Sequence, residues 1–106
     1  MEVLFLDDVR VPGDVTWVHL PQGNYTIVRN YSQFVKELSY KNFDHYCFDY
    51  DLWFDPGYEG HDGLSCLKHL VNKKGTCNLP VTFHTQNEWG REKMEKFLLT
   101  YPENLV

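Results

Sequence analysis

Two apolar runs of strand length in this chain end in paired carboxylates, EVLFLDD at 2–8 and HYCFDYD at 45–51. Runs so short and so apolar suit buried strands, and acids at the ends of such strands are costly unless something compensates them. The fold must therefore bury both runs while delivering Asp7, Asp8, Asp49 and Asp51 to a place where a compensating group can meet them.

The remaining segments supply a frame. YTIVR, residues 25–29, is β-branched and reads as a second main strand, and PVTFH at 80–84 as a fourth. Three helical patterns follow the second, third and fourth strands. Asn30 can cap the first, with Gln33 three residues on and Phe34, Val35 and Leu38 as its apolar stripe. Asp62 can cap the second, in which Leu64, Leu67, Leu70 and Val71 share one side and Gly75 ends the helix. Asn87 can cap the third, with Met94, Phe97 and Leu98 turned inward. TWVHL at 16–20 reads as a short strand inside a loop punctuated by Pro12, Gly13, Pro21 and Gly23, and Pro56, Gly57 and Gly60 mark a second loop at 53–61. Alternating strands and helices predict an α/β fold, a small doubly wound parallel sheet of about four main strands and three helices. No repeat or linker divides it, so residues 1–106 are read as one domain.

In such sheets ligands sit beyond the carboxyl ends of the strands. Asp7 and Asp8 follow strand one, Asp49 and Asp51 end strand three, and His84 and Thr85 end strand four, all on one edge. Converging carboxylates repel one another, which raises their pKa values or recruits a cation. Hard oxygen donors without a thiolate at that edge favour Mg²⁺, Mn²⁺ or Ca²⁺ over zinc. The bland alternative is that each acid caps a turn or faces water. In HTQNEWGR at 84–91, His84 titrates near neutrality, Thr85 offers a hydroxyl, Asn87 an amide, and Arg91 a bidentate partner beside the free N–H groups of a helix N-terminus. An ordinary strand-to-helix turn with Arg91 solvated is the competing reading.

The net charge of −5 argues against a long nucleic-acid groove, though not against a small phosphorylated ligand held through a cation. Cys47, Cys66 and Cys77 form no C-x-x-C pair and point to a reducing compartment. MEVLFLDD has no signal-peptide pattern, and no run approaches transmembrane length, so the chain is read as cytoplasmic with no membrane partner. The cysteines and Met94 read as core. His19, His45 and His69 read as packed or solvent-facing, and His61 as a loop residue free to join a site. Trp53, close to the acidic edge, either stacks on a base or closes the core.

Three blocks together, FLDDVRVP, FDYDL followed by GHDGLSCLKHL, and PVTFHTQNEWGREKM, resemble the cyclic-phosphate processing receiver domain family, a compact derivative of response-regulator receivers. The match covers nearly the whole chain. Asp7 and Asp8 match the family's acidic pair, Arg10 its nearby basic residue, and Asp49 and Asp51 the acids of its Asp-His-Asp-Leu block. His84, Thr85, Asn87, Gly90, Arg91, Glu92 and Met94 match its final block. The resemblance implies metal-assisted handling of 2′,3′-cyclic phosphates on nucleotides or RNA ends.

There are two departures. The histidine of Asp-His-Asp-Leu is Tyr50 here, and a phenol of pKa about 10 does not replace a neutral-pH histidine directly. If that histidine is catalytic this copy is impaired, with His61 a conceivable substitute; if it is structural, Tyr50 is harmless. Strand alternation favours the second reading, because it turns residue 50 away from its acidic neighbours. Second, the chain leaves no room for the fifth receiver strand and its Lys, and Pro102 disfavours a strand there.

The expected function is a divalent-metal-dependent phosphoesterase. Asp7, Asp8 and Asp49 would hold Mg²⁺ or Mn²⁺, and Asp51 would complete the shell or activate water. His84 would protonate the leaving oxygen, while Thr85, Asn87, Arg91 and Arg10 would hold the phosphate. The alternatives are a nucleotide- or phosphate-binding module without turnover and a phosphoaccepting signalling domain. The sequence leaves the oligomeric state open.

Overall fold

The computed structural model describes residues 1–52 and 60–104. Its sheet has four strands: β1 (Glu2–Leu6), β2 (Asn24–Val28), β3 (His45–Phe48) and β4 (Val81–Phe83). Three helices, α1 (Tyr31–Tyr40), α2 (Gly63–Lys74) and α3 (Glu88–Asn104), follow β2, β3 and β4 in turn. All pairings are parallel and the order is β2-β1-β3-β4. The chain therefore steps outward from β1 to β2, then crosses back to lay β3 on the other side of β1. That reversal opens a crevice beyond the carboxyl ends of β1 and β3, where Asp7 and Asp49 follow directly.

The two faces of the sheet are covered differently. On one, Leu4, Leu6, Tyr46 and Phe48 pack against Phe34 and Leu38 of α1, Leu67, Leu70 and Val71 of α2, and Met94 of α3. Each such side chain, fully buried, contributes about 1.5–3 kcal/mol. On the other, Val3, Phe5 and Cys47 lie under Val15, flanked by Val18, Leu20 and Tyr25. The β1–β2 connection covers this second face with a single 3-10 turn, Pro12–Asp14, in place of a helix. TWVHL is accordingly not a strand. Its period-two pattern is used to set Val18 and Leu20 down on the sheet face, not to extend a ladder.

The helix caps follow the sequence. Asn30 Oδ1 accepts from Gln33 N at 2.9 Å, and Asp62 Oδ1 accepts from Ser65 N at 3.0 Å. Asn87 Oδ1 accepts from Gly90 N at 3.0 Å, and Gly75 closes α2 at φ +71°, a left-handed conformation that favours glycine. Residues after Leu98, where a receiver would begin its fifth strand, continue α3 as far as Asn104. Cys47 and Cys66 are buried, Cys77 is half-buried, and no disulfide joins any of the three. No helix among the described residues is long and apolar enough to cross a membrane.

Candidate functional site

Asp7 is the anchor of the site. It follows β1, is fully buried, and has both oxygens engaged. Oδ1 accepts from the backbone N–H groups of Val9 at 3.0 Å and Arg10 at 2.8 Å. Oδ2 meets His84 Nε2 at 3.0 Å, with Arg10 Nη1 at 3.6 Å. Burial works against the charge on Asp7, but the His84 hydrogen bond and the two backbone donors outweigh it and hold the carboxyl down to about 2. An ionised Asp7 requires His84 Nε2 to carry the proton and donate. The His84 ring lies flat on Phe5, with centroids 4.5 Å apart and planes 7° from parallel. Its Nδ1 is buried without a hydrogen-bond partner, which fits the neutral Nε2–H tautomer. Arg29 Nη1 fastens the turn after β1 by donating to the carbonyls of Asp7 at 3.0 Å and Arg10 at 2.6 Å.

Above this anchor opens a crevice of about 200 Å³, lined by Asp8, Val9, Arg10, Asp49, Asp51, Thr85, Gln86 and Asn87. Carboxylate oxygens of Asp7, Asp8 and Asp49 lie within 4.8 Å of one another. Burial and the neighbouring Asp7 charge push the Asp8 carboxyl above its ordinary value, and the same two causes raise Asp49. The N–H of Tyr50 donates to Asp49 Oδ1 at 2.8 Å, and the Thr85 hydroxyl bonds the same carboxylate. These compensations are partial, and burial beside Asp7 still leaves both carboxyls raised. Thr85 Oγ1 also accepts from Asn87 N at 3.2 Å. The Asn87 side chain caps α3 with its oxygen and donates through Nδ2 to Asp51 Oδ2 at 3.1 Å. Arg10 Nη2 donates to Gln86 Oε1 at 3.1 Å, setting a guanidinium on the opposite wall.

The fold thus brings together Asp8, Arg10, Asp49, Asp51, Thr85 and Asn87, with Asp7 directly beneath. Two expected members lie elsewhere. His84, expected to protonate a leaving oxygen, is fully buried beneath the crevice and bonded to Asp7. Arg91 is one turn along α3, its Nε 3.7 Å from Glu95 Oε1, and it forms no part of the crevice wall. Tyr50 turns to the helical face, where it is buried edge-on to Trp89 at 5.9 Å between centroids. Burial, then a hydrogen bond to Asp62, push its phenol up to about 12, beyond any use at neutral pH. Gly90 makes room for that ring, since a Cβ there would run into it. His61 stacks on Tyr31 at 4.2 Å, away from the acids, and His45 bonds Thr82 Oγ1 at 2.7 Å. Trp53 and the turn residues Pro56 and Gly57 lie outside the described residues.

Sequence reasoning missed Arg29, Gln86 and Trp17. Arg29 had a signal, being a cation directly after β2 on the acidic edge. Trp17, whose Nε1 donates to the His84 carbonyl at 2.8 Å, had none, because it comes from a loop with no periodicity to aim it.

A parallel α/β sheet in this order, with carboxylates at the switch point and a hydroxyl after the next strand, defines a receiver-like domain. The chain belongs to the cyclic-phosphate processing receiver domain family, whose model matches residues 2–100. No curated protein and no solved structure gives a match.

Proposed function

We propose that the crevice is a divalent-cation-assisted phosphoesterase site that opens a cyclic phosphate on a nucleotide or RNA end. The observation that carries this reading is the convergence of three carboxylate oxygens within 4.8 Å beside a hydroxyl and a guanidinium. The donor set fits Mg²⁺ or Mn²⁺. It is all oxygen, two of its members have raised pKa values, and Cys47 is buried on the sheet with its thiol pushed up to about 12 by burial. Since donors already occupy both Asp7 oxygens, Asp8 and Asp49 would hold the ion most directly and Asp7 would back them. Bound there, the ion would supply positive charge to phosphoryl oxygens and acidify a water.

The protein's own groups do the rest. Arg10 and the Asn87 amide grip phosphoryl oxygens, and Thr85 orients Asp49. Asp51, exposed at the rim, takes a proton from the attacking water. The new P–O bond forms from that water, the bond from phosphorus to one ribose oxygen breaks, and the leaving oxygen collects its proton from solvent.

One observation favours the second reading, a binder without turnover: among the described residues no imidazole lines the crevice, because His84 is sealed below it. The phosphoaccepting alternative has less support, since α3 occupies the residues after β4 and no fifth-strand Lys is present among the described residues.

Phosphorus NMR of 2′,3′-cyclic nucleotides with the protein and Mg²⁺ or Mn²⁺ separates these readings. Ring opening that disappears with chelator and in Asp49→Asn is the expected result. A metal-dependent shift of the ligand signal without product makes the domain a binder. No change in either excludes both for these ligands.

A further inference from the structure

We propose that Trp17, beside Arg10 of the crevice wall, is the platform on which a nucleobase stacks, so that the ligand is a nucleoside cyclic phosphate. This rests on reading the crevice as a phosphate site and names the part of the ligand that the acidic crevice cannot recognise.

Trp17 is held by one edge and carries Arg10 over one face of its ring, which leaves the opposite face for a base. Its Nε1 donates to the carbonyl of His84, immediately before Thr85 of the crevice wall, yet 41% of the residue is exposed. An indole fixed through its polar atom presents its π-face without further ordering cost. The Arg10 guanidinium lies 5.1 Å from the ring centroid. Arg10 also lines the crevice and bonds Gln86, so one residue joins the aromatic plane to the phosphate wall.

Val9, 60% exposed, and Val11, 41%, flank Arg10 in the same connection. Trp89, 61% exposed with Lys93 Nζ 4.0 Å over its ring, is turned edge-on to Tyr50 of the helical face, whereas the cation over Trp17 is Arg10 of the crevice wall. Stacking on a neutral base needs no basic groove, and it is worth enough per base to matter. That resolves how a domain of net charge −5 selects a nucleotide: the cation and Arg10 take the phosphate, and the indole takes the base.

The test is calorimetric titration with Mg²⁺ present, comparing adenosine 2′,3′-cyclic monophosphate with glycerol 1,2-cyclic phosphate, which has the ring phosphate and no base. The wild-type protein should prefer the nucleotide by roughly tenfold or more. Trp17→Leu should abolish that preference and leave the glycerol ester unaffected. Trp17→Phe should keep most of it, and Trp89→Leu all of it. Equal binding of the two ligands by the wild type, or an equal loss of both in Trp17→Leu, overturns the platform while the phosphate site stands. Failure of both ligands on the wild type instead removes the phosphate reading and the platform with it.

A second measurement needs no variant. Ring-proton resonances of Trp17 should move when the nucleotide is added and stay when the glycerol ester is added. Trp17 resonances that do not move at saturating nucleotide overturn the proposal. A short oligonucleotide ending in the cyclic phosphate should give the same Trp17 shift, and tighter binding than the mononucleotide would identify an RNA end as the source.

Discussion

On the helical face of the sheet, Leu4, Leu6, Tyr46 and Phe48 meet three helices and form a continuous apolar layer. On the other face, Val3, Phe5 and Cys47 have only the β1–β2 connection above them, and the same layer of side chains runs on into Asp7, His84 and Asp49. The two faces of one strand differ by a single residue step. Asp49 follows the pleat of Cys47 into the crevice, and Tyr50 follows that of Phe48 into the helical core. A thick helical layer rewards uniform packing, whereas a thin irregular one lets buried acids lie a short way from water. The acidic cluster occupies the thinly covered face, where burial is deep enough to shift pKa values and shallow enough to leave a crevice open to water.

The strongest way to break this comparison is to remove the polar anchor. In His84→Ala the Asp7 carboxylate keeps its backbone donors and Arg10 but loses its buried partner, and a cavity opens beside Phe5. Losing a hydrogen bond to a buried charged group costs about 1.5–3 kcal/mol, and the cavity adds to it, so the loss should be about 3 kcal/mol. Thermal unfolding should fall by about 12 °C or more for a chain of this size. The acid limb carries the same information. The Asp7 pKa is depressed from 3.8 to about 2 in the folded state, so its contribution is present above 3.8 and lost as pH falls through about 2. In Asp7→Asn that part of the acid transition should flatten. A loss below 1 kcal/mol in His84→Ala would mean that the pair is not the anchor described here.

Asp49 should behave in the opposite sense. Its pKa is raised, so its ionised form weakens the fold at neutral pH, and that penalty lifts as pH falls through the folded value. Without metal, Asp49→Asn should therefore be more stable than the wild type at pH 7 by about 1 kcal/mol. With Mg²⁺ or Mn²⁺ the order should reverse as the wild type gains stability by binding and the variant does not. Differential scanning fluorimetry across a metal series reads both effects. A variant less stable than the metal-free wild type would show that the crevice neutralises Asp49 by itself.

The sequence made the frame legible wherever a local rule and the tertiary structure agree. Caps at Asn30, Asp62 and Asn87, the stop at Gly75 and four apolar runs suffice to place every helix and the acidic edge. Strand alternation likewise turned Tyr50 away from Asp49 and Asp51. The enclosure of His84 was not legible, because residue type and strand end announce only a titratable group, while its burial comes from Phe5, Trp17 and Asp7, at separations no local pattern reports. Arg91 lies one turn beyond the cap, where its side chain reaches along the helix to Glu95 and not to the crevice, a choice between neighbours that spacing alone does not make.

The smallest effect expected is the most informative about the family's histidine. Residue 50 points into the helical core, between Trp89 and the space left by Gly90. Tyr50→His therefore puts an imidazole where the crevice cannot use it. Metal affinity and any cyclic-phosphate turnover should stay within about twofold of the wild type, a difference of under 0.5 kcal/mol. The change should appear in stability instead, as a loss of about 1–2 kcal/mol from the smaller and more polar ring. Parallel assays of turnover, metal affinity and urea unfolding distinguish the cases. A large gain in turnover would require residue 50 to reach the crevice, against the pleat that assigns it to the other face. An unchanged site in a less stable protein would make Tyr50 a packing choice of the helical layer, with the chemistry left to the acids on either side of it.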